Sequence, residues 1–401
     1  LRKQARVGEW DIMKYVDQVE LENKRVLLKA DFNVPIENGQ VTDDYRIRAT
    51  LPTINYILER SKKLVICSHL GQPESKDEKF SLRPVAKKLS ELLGKEVIFL
   101  EDSVGPEVEA AVNSMKDGDI ILLENVRFHP EETKNDENHA KKFAALCDVF
   151  IYDAFAVAHR KHASIVGVQK FVKERAAGFI MRDELSFFEK ALGNPKRPLT
   201  AIFGGAKVST KMAAIRYAGP KADRVVIGGA MANTFFVAQG YNVGKSLYEP
   251  EEVEQAKVIE KELKEKGVEL LLPVDVVVST EFKKGAKFTT VPISEIPSDM
   301  MALDIGAKSS ELFEAAIKTS ATVVWNGPMG AFETEPFDVG TNRLIQSIAQ
   351  SSAISVVGGG DTDLALHRSG SFDKMTYVST AGGAFLMLME GKVLPAVAAL
   401  E

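Results

Sequence analysis

Four apolar runs in the first 160 residues end in charged or hydrogen-bonding side chains. Asp31 and Asn33 follow KRVLLKA, His69 follows LVICS, Arg127 follows IILLENV, and His159 with Arg160 follow VFIYDAFAVA. Such a set suits a carboxylate or phosphate ligand, which arginine forks and imidazoles bind through charge-assisted hydrogen bonds. DYRIRATLP adds Arg46 and Arg48 at the start of a helical pattern. The helix dipole disfavours a cation there and favours an anion held by the free amides. Each residue has a plainer reading by itself: Asp and Asn form turns, and an arginine at a helix start commonly faces solvent. Their recurrence at the same end of successive strand-like runs favours one anion pocket, because ligands of open α/β sheets sit beyond the carboxyl ends of the strands.

Four runs in the second half end instead in glycines: AIFGGAKVSTK, VVIGGAMANT, TVVWNGPMG and ISVVGGGDTD. Glycine lets main-chain N–H groups approach a nucleotide and its phosphates closely. Gly204 and Gly205 lead into Lys207 and Lys211, which read as i,i+4 neighbours flanking the helical stripe Val208, Met212 and Ile215. Both ammonium groups could reach one phosphate chain, or snorkel from an amphipathic helix. Asn326, Pro328 and Glu333 follow another buried-looking run, and Gly358, Gly359 and Gly360 precede Asp361 and Thr362. A carboxylate beside open backbone suits Mg²⁺ or a magnesium-bound nucleotide; the competing role for Asp361 is a helix N-cap. VSTAGGAF places Gly382 and Gly383 at one more helix start, able to aim amides at a transferring phosphate.

Other patterns carry no site. GYNVGKS has three residues rather than four between its glycines and follows a helical pattern, so it is not a Walker loop. His159 and His162 lack the i,i+4 spacing and the glutamate of a helical zinc motif. Cys67 and Cys147 form no CxxC and read as core fillers.

Positioning the two residue sets requires strands that alternate with helices. Strand-like runs at 25–29, 63–68, 96–100, 119–123 and 148–153 are separated by helical patterns such as LRPVAKKLSELLG. The alternation resumes at 199–203, 223–227, 270–278, 321–325, 353–357 and 375–379. Between the halves, Met181, Leu185, Phe188 and Leu192 repeat on a helical period that Gly193 and Pro195 end. The expected fold is α/β, with two doubly wound parallel-sheet, Rossmann-like domains joined by a long helix that acts as a hinge. Residues 1–178 form the first domain, 179–193 the helix and 194–390 the second domain in this reading.

The chain has 401 residues, 45% of them hydrophobic and 27% charged, the composition of a soluble globular protein of two or three compact units. A net charge of -5 argues against general nucleic-acid binding, so any anion site is local. MTYVSTAGGAFLMLM is shorter than the ~20 residues of a membrane span and reads as strand, turn and helix. The start, LRKQARVGEWDIMKYVDQVE, lacks the apolar core of a secretory signal, and the expected location is the cytoplasm.

Taken in order, DFNVP, SHLG, LLENVRFH, DAFAVAHR, GGAKVSTK, VWNGPMGAFE and GGGDT resemble phosphoglycerate kinase across nearly the whole chain. The resemblance implies a monomer that moves a phosphoryl group between 1,3-bisphosphoglycerate and ADP, giving 3-phosphoglycerate and ATP with Mg²⁺. It assigns Asp31, Asn33, Arg46, His69, Arg127 and Arg160 to the glycerate, with Arg46 and Lys211 near the moving phosphoryl group. Gly204, Gly205, Lys207, Asn326, Pro328, Glu333 and Gly358 to Thr362 fall to the nucleotide, with Glu333 on the ribose and Asp361 on magnesium. Gly382 and Gly383 supply phosphate-facing amides, and the tail, residues 391–401, returns to the first domain. The chain departs from the family pattern at Lys29 and Gln72, where arginines are usual, at Ala156 and Ala381 for glycines, at Thr210 for aspartate and at Phe385 for serine. These departures leave open a binding relative with weakened catalysis as the alternative to an active kinase.

Overall fold

The structure is a computed structural model that describes residues 13–61 and 63–401. The reading of the N-terminal segment as no leader falls largely on residues 1–12, outside the described residues. The described chain through Leu185, together with Val393–Glu401, forms one compact unit, and Ser186–Lys392 forms a second.

The first unit is built on β1 (Val26–Ala30), β2 (Leu64–Cys67), β3 (Ile98–Phe99), β4 (Ile120–Leu122), β5 (Val149–Asp153) and β6 (Glu174–Ala177). They form one sheet in the order β3-β4-β2-β1-β5-β6, and every pairing is parallel. The central strands read as continuous apolar runs because helices cover both faces, and all five residues of β1 and of β5 are buried. Strand β6 was not among the expected strands. Its sequence, ERAA, has no β-branched run, and pairing with β5 decides its conformation. The helix Tyr45–Arg60 turns Ile47, Thr50, Thr53, Ile54 and Ile57 inward, so that its second residue, Arg46, emerges near the strand exits. The final helix, Pro395–Leu400, docks on this unit: Ala396 N–H donates to Ala158 O at 3.1 Å and Arg175 Nε to Ala399 O at 2.9 Å.

The helix Phe179–Phe188 leads from the first unit into the second, followed by a wider π-helical turn, Glu189–Gly193, where one uniform helix was expected. Its first turn is tied to buried groups of the first unit. Thr53 Oγ1 accepts from Phe179 N–H at 3.1 Å, Asp153 accepts from Met181 N–H at 3.1 Å, and Thr53 donates to Asp153 at 2.6 Å. Burial pushes the Asp153 carboxyl up to about 7.

In the second unit, β7 (Leu199–Phe203), β8 (Arg224–Ile227) and β9 (Glu269–Leu271) precede a separate sheet of β10 (Asp275–Ser279), β11 (Thr289–Pro292) and β12 (Met301–Ile305). Strands β13 (Thr322–Asn326), β14 (Ile354–Val357) and β15 (Tyr377–Val378) then complete a parallel sheet in the order β9-β8-β7-β13-β14-β15. The run expected as one strand at 270–278 is therefore two strands in two sheets. Pro273 separates them: it has no N–H for a ladder, and β10 starts afresh, antiparallel to β11 and β12. The strand order reverses beside β7, between β8 and β13, which is the kind of crevice where open sheets bind ligands.

Candidate functional sites

At the exit of β1, Asp31 stands buried and pairs with Arg46 Nη1 at 2.6 Å. Its Oδ1 accepts from Asn33 N–H at 3.1 Å, while Asn33 Oδ1 accepts from Gly71 N–H at 2.8 Å. Arg127 donates to Gly71 O at 2.5 Å, so the loop after β2 is gripped from two neighbouring strand exits. Asn125 adds to that grip by donating to Leu70 O at 2.7 Å and accepting from Leu70 N–H at 3.2 Å. His69 lies beneath the loop, 3.9 Å from Asp31, with a buried Nδ1 that has no hydrogen-bond partner. Burial, reinforced by Lys29, Arg127 and Arg46, holds this imidazole well below its usual range and therefore neutral. Arg160 is exposed, yet close enough to Arg127 to oppose its charge. Asp31, Asn33, Arg46, His69 and Arg127 are thus brought together, with Arg160 on the rim.

Two further buried charges lie nearby: Lys29, noted from the sequence only as a departure from the family pattern, and Glu132, which was not anticipated. Lys29 and Glu132 are each 1% exposed, and Glu132 accepts from Ser164 N–H and Oγ at 2.8 and 2.6 Å. Burial raises the Glu132 carboxyl, and the Lys29 charge opposes that rise. Spacing offers no signal for a glutamate 103 positions from its lysine; the signal for Asn125 was present, inside LLENV.

The second unit gathers glycine-rich exits around one ammonium group. Lys211 Nζ donates to Gly204 O at 2.5 Å and to Asn326 O at 3.0 Å, bridging the ends of β7 and β13 at the strand-order reversal. Burial lowers this amine to about 8, with Asp361 acting in the opposite sense. A Cβ on Gly204 would lie 2.2 Å from Pro328 O, so these backbones meet only because the residue is glycine. Asn326 Nδ2 donates to Gly358 O at 2.8 Å and Gly327 N–H to Thr362 Oγ1 at 2.8 Å, which locks the β13 and β14 exits together. A Cβ on Gly382 would come within 3.4 Å of Gly360 N, so the VSTAGGAF turn joins the same cluster. Gly383 is the exposed first residue of the helix Gly383–Met389. Asp361 is exposed in the first turn of the helix Gly360–Arg368, whose N-cap is Gly359, so the N-cap role for Asp361 does not hold.

The lysine pair needs correction. The helix starts at Met212 with Lys211 as its N-cap, so Lys207 and Lys211 are not i,i+4 neighbours on a helix. Glu249 accepts from Ser209 N–H and Oγ at 2.8 and 2.5 Å and holds the intervening residues as an irregular turn. Lys207 is exposed within that turn.

Beside the cluster lies a cavity of about 410 Å³ lined by Gly205, Pro328, Glu333 and Asp361 from the predicted set. Gly229, Phe236, Leu303, Phe332 and Asp304 also line it and were not anticipated. VVIGGAMANT carried the signal for Gly229, whose positive φ of 67° allows contact with Gly205. Lys245, from the stretch rejected as a phosphate loop, lines the cavity as well, as does Leu247 just beyond it.

A family model described as phosphoglycerate kinase matches residues 16–392. The chain belongs to the phosphoglycerate kinase family. It is 49% identical over 392 residues to the phosphoglycerate kinase of Geotalea uraniireducens, covering 97% of this chain and 98% of the relative. The Desulfosudis oleivorans phosphoglycerate kinase is 50% identical over 391 residues, 97% of this chain and 99% of the relative. Among solved structures, phosphoglycerate kinase from Coxiella burnetii aligns with a TM-score of 0.88 at 43% identity, covering 97% of this chain and 98% of that one. The Pyrococcus horikoshii phosphoglycerate kinase aligns at 0.82 and 32% identity, with 97% and 98% covered. The chain is accordingly a phosphotransferase with a carboxyl group as acceptor, in the two-sheet α/β fold of phosphoglycerate kinases.

The positions at which this phosphoglycerate kinase family member departs from the usual pattern differ in setting. Gln72 is exposed, whereas Lys29, near the end of β1, is buried. Thr210 donates to Lys207 O at 2.9 Å. Phe385 is 2% exposed, packed against Gly358 and, edge to face, against Phe188 at 6.2 Å between centroids.

Proposed function

We propose that the first unit binds 3-phosphoglycerate or 1,3-bisphosphoglycerate through Asp31, Asn33, Arg46, His69, Arg127 and Arg160, and that the second binds ADP or ATP. The carrying observation is the half-buried Lys211 ammonium resting on Gly204 O and Asn326 O, with Asp361 near enough to act on its charge, where glycine backbones converge. In the forward step a terminal phosphate oxygen of ADP attacks the acyl phosphorus. The bond from phosphorus to the carboxyl oxygen breaks, and 3-phosphoglycerate leaves as a carboxylate. Both nucleophile and leaving group are already anions, so no general base is required and the chain contributes positioning and charge stabilisation. Arg46 and Lys211 neutralise the equatorial oxygens of the moving group, helped by amides at Gly382 and Gly383. Glu333 holds the ribose, and Gly204, Gly205, Lys207, Asn326, Pro328 and Gly358 to Thr362 complete the nucleotide site. Because the two ligand sets lie in different units, in-line transfer demands a closed arrangement, for which the joining helix is the hinge.

Asp361 suits Mg²⁺: it is an exposed carboxylate beside open backbone, and no three His, Cys, Asp or Glu groups cluster among the described residues. Asp361 would hold the metal of a magnesium-bound nucleotide, and the chemistry it would supply is neutralisation of phosphate charge. No described helix is long and apolar enough to cross a membrane. The same reading takes the enzyme as a cytoplasmic monomer, which sedimentation of purified protein checks for its oligomeric part. Nothing in the setting of Arg46, Lys211 or Asp361 favours a relative without turnover. A coupled assay with 1,3-bisphosphoglycerate and MgADP tests the reading: ATP formation at ordinary enzyme levels is expected, and tight MgADP binding without turnover overturns it.

A further inference from the structure

Asp304, in β12, is 4% exposed and has no ion-pair partner among the described residues. The other charge acting on it is the like charge of Asp338, and burial pushes its carboxyl up to about 8. An unpaired carboxylate is costly to bury, and a core needs none for packing. Its contacts indicate what it does. Oδ2 accepts from Gly340 N–H at 2.7 Å, and Oδ1 accepts from Ile305 N–H at 2.8 Å. A Cβ on Gly330 would lie 2.2 Å from Oδ1, and one on Gly340 2.4 Å from it. The carboxylate therefore touches both ends of residues 330–340, and Ala331 N–H extends the seam by donating to Leu303 O at 2.8 Å. Phe332 and Glu333, on that segment, line the same cavity as Asp304 itself.

We propose that Asp304 is a positioning residue: it closes the segment 330–340 at its base and thereby sets Glu333 against the ribose of the bound nucleotide. Both glycines are required because the carboxylate occupies the space their side chains would take. The inference rests on the reading of this cavity as the nucleotide site.

Steady-state kinetics with ADP and with 2′,3′-dideoxy-ADP test it in the full chain, for Glu333→Ala, Asp304→Asn and the double variant. Asparagine keeps the volume but offers a single acceptor oxygen. Asp304→Asn is expected to raise KM for ADP about tenfold and to narrow the preference for ADP over the dideoxy analogue. KM for 1,3-bisphosphoglycerate should stay within about twofold, and the double variant should be no worse than Glu333→Ala, since contacting groups couple non-additively. An unchanged ADP preference in Asp304→Asn, or additive losses in the double variant, overturns the positioning role. If Glu333→Ala itself leaves the preference intact, the reading of the cavity fails and this inference with it. Should Asp304→Asn not fold, Gly330→Ala retains the carboxylate while forcing the segment away from it, and the same preference and KM split decide.

Discussion

The two candidate sites hold charge by opposite means. In the first unit Asp31, Arg46, His69 and Arg127 place side-chain charges and dipoles in the pocket, with buried Asn125 bonded to the backbone of Leu70 and Arg127. In the second, one ammonium lies on two main-chain carbonyls amid glycines whose missing side chains make the room. The first kind of site is damaged by removing atoms and the second by adding them. An anion with fixed charges is recognised by a preset constellation, whereas a flexible phosphate chain is met by backbone that approaches it closely.

The hardest test of this contrast is Lys211, the half-buried cation that bridges two strand ends of the backbone-built site. Lys211→Ala should lower kcat by about 10²–10³ with little change in the 1,3-bisphosphoglycerate KM, the loss typical of deleting one stabilising donor. Equal losses in both substrates' KM would erase the distinction. Next in size, Gly204→Ala should weaken nucleotide kcat/KM about ten- to a hundredfold, because the new methyl would meet the Pro328 carbonyl, which is backbone and has little freedom to yield. Retention of full nucleotide affinity would show the site to be looser than the 2.2 Å contact allows.

Proton linkage separates the sites further. With its amine lowered to about 8, Lys211 loses its charge as pH rises through that value, so kcat/KM for ADP should fall about tenfold per pH unit above it. Lys211→Arg, which stays charged, should lack that alkaline limb, however slow it is; a limb that persists belongs to another group. On the acid side, five of the six histidines lie in the first unit, and burial lowers His139 and His162 to about 4 and His69 well below its usual range. A depressed folded value for a base means stability that is complete above about 6.5 and is lost as pH falls towards 4. Asp153, Glu132 and Asp304 have raised values and so contribute in the reverse sense, gaining as pH falls. Four lowered histidines, His159 among them, against two raised carboxyls leave the first unit the more acid-labile. Calorimetry between pH 6.5 and 4 should show its transition falling first, and His139→Gln should flatten that dependence. The smallest effect expected is from Gln72→Arg: the position is exposed, so a restored cation there is worth ~0–1 kcal/mol and should lower the glycerate KM by no more than about fivefold.

Legibility in the sequence followed the range of the interaction. Strand exits such as Asp31, His69, Arg127, Gly204 and Gly358 were readable because a β-branched run and the residue that ends it are neighbours in the chain. Strand β6 was not, since ERAA becomes a strand only by pairing with β5. The division of 270–278 was marked by Pro273, but which sheet each part joins depends on partners as far away as Met301–Ile305. Lys207 was misjudged because a helical pattern of apolar residues gives no hint of Glu249, whose carboxylate holds the turn open from 40 positions away.

The amino-acid sequence by itself determined two alternating α/β halves and the contrast of a cationic set with a glycine set at their strand ends. Those depend on periodicity and on local backbone chemistry, which act over a few residues. Tertiary structure alone decided that Arg46 finds Asp31, that Lys211 rests on the ends of two strands, and that Asp304 sits against Gly330 and Gly340. Burial and hydrogen-bond geometry are properties of atoms brought together from distant positions, and no local pattern encodes which atoms those are.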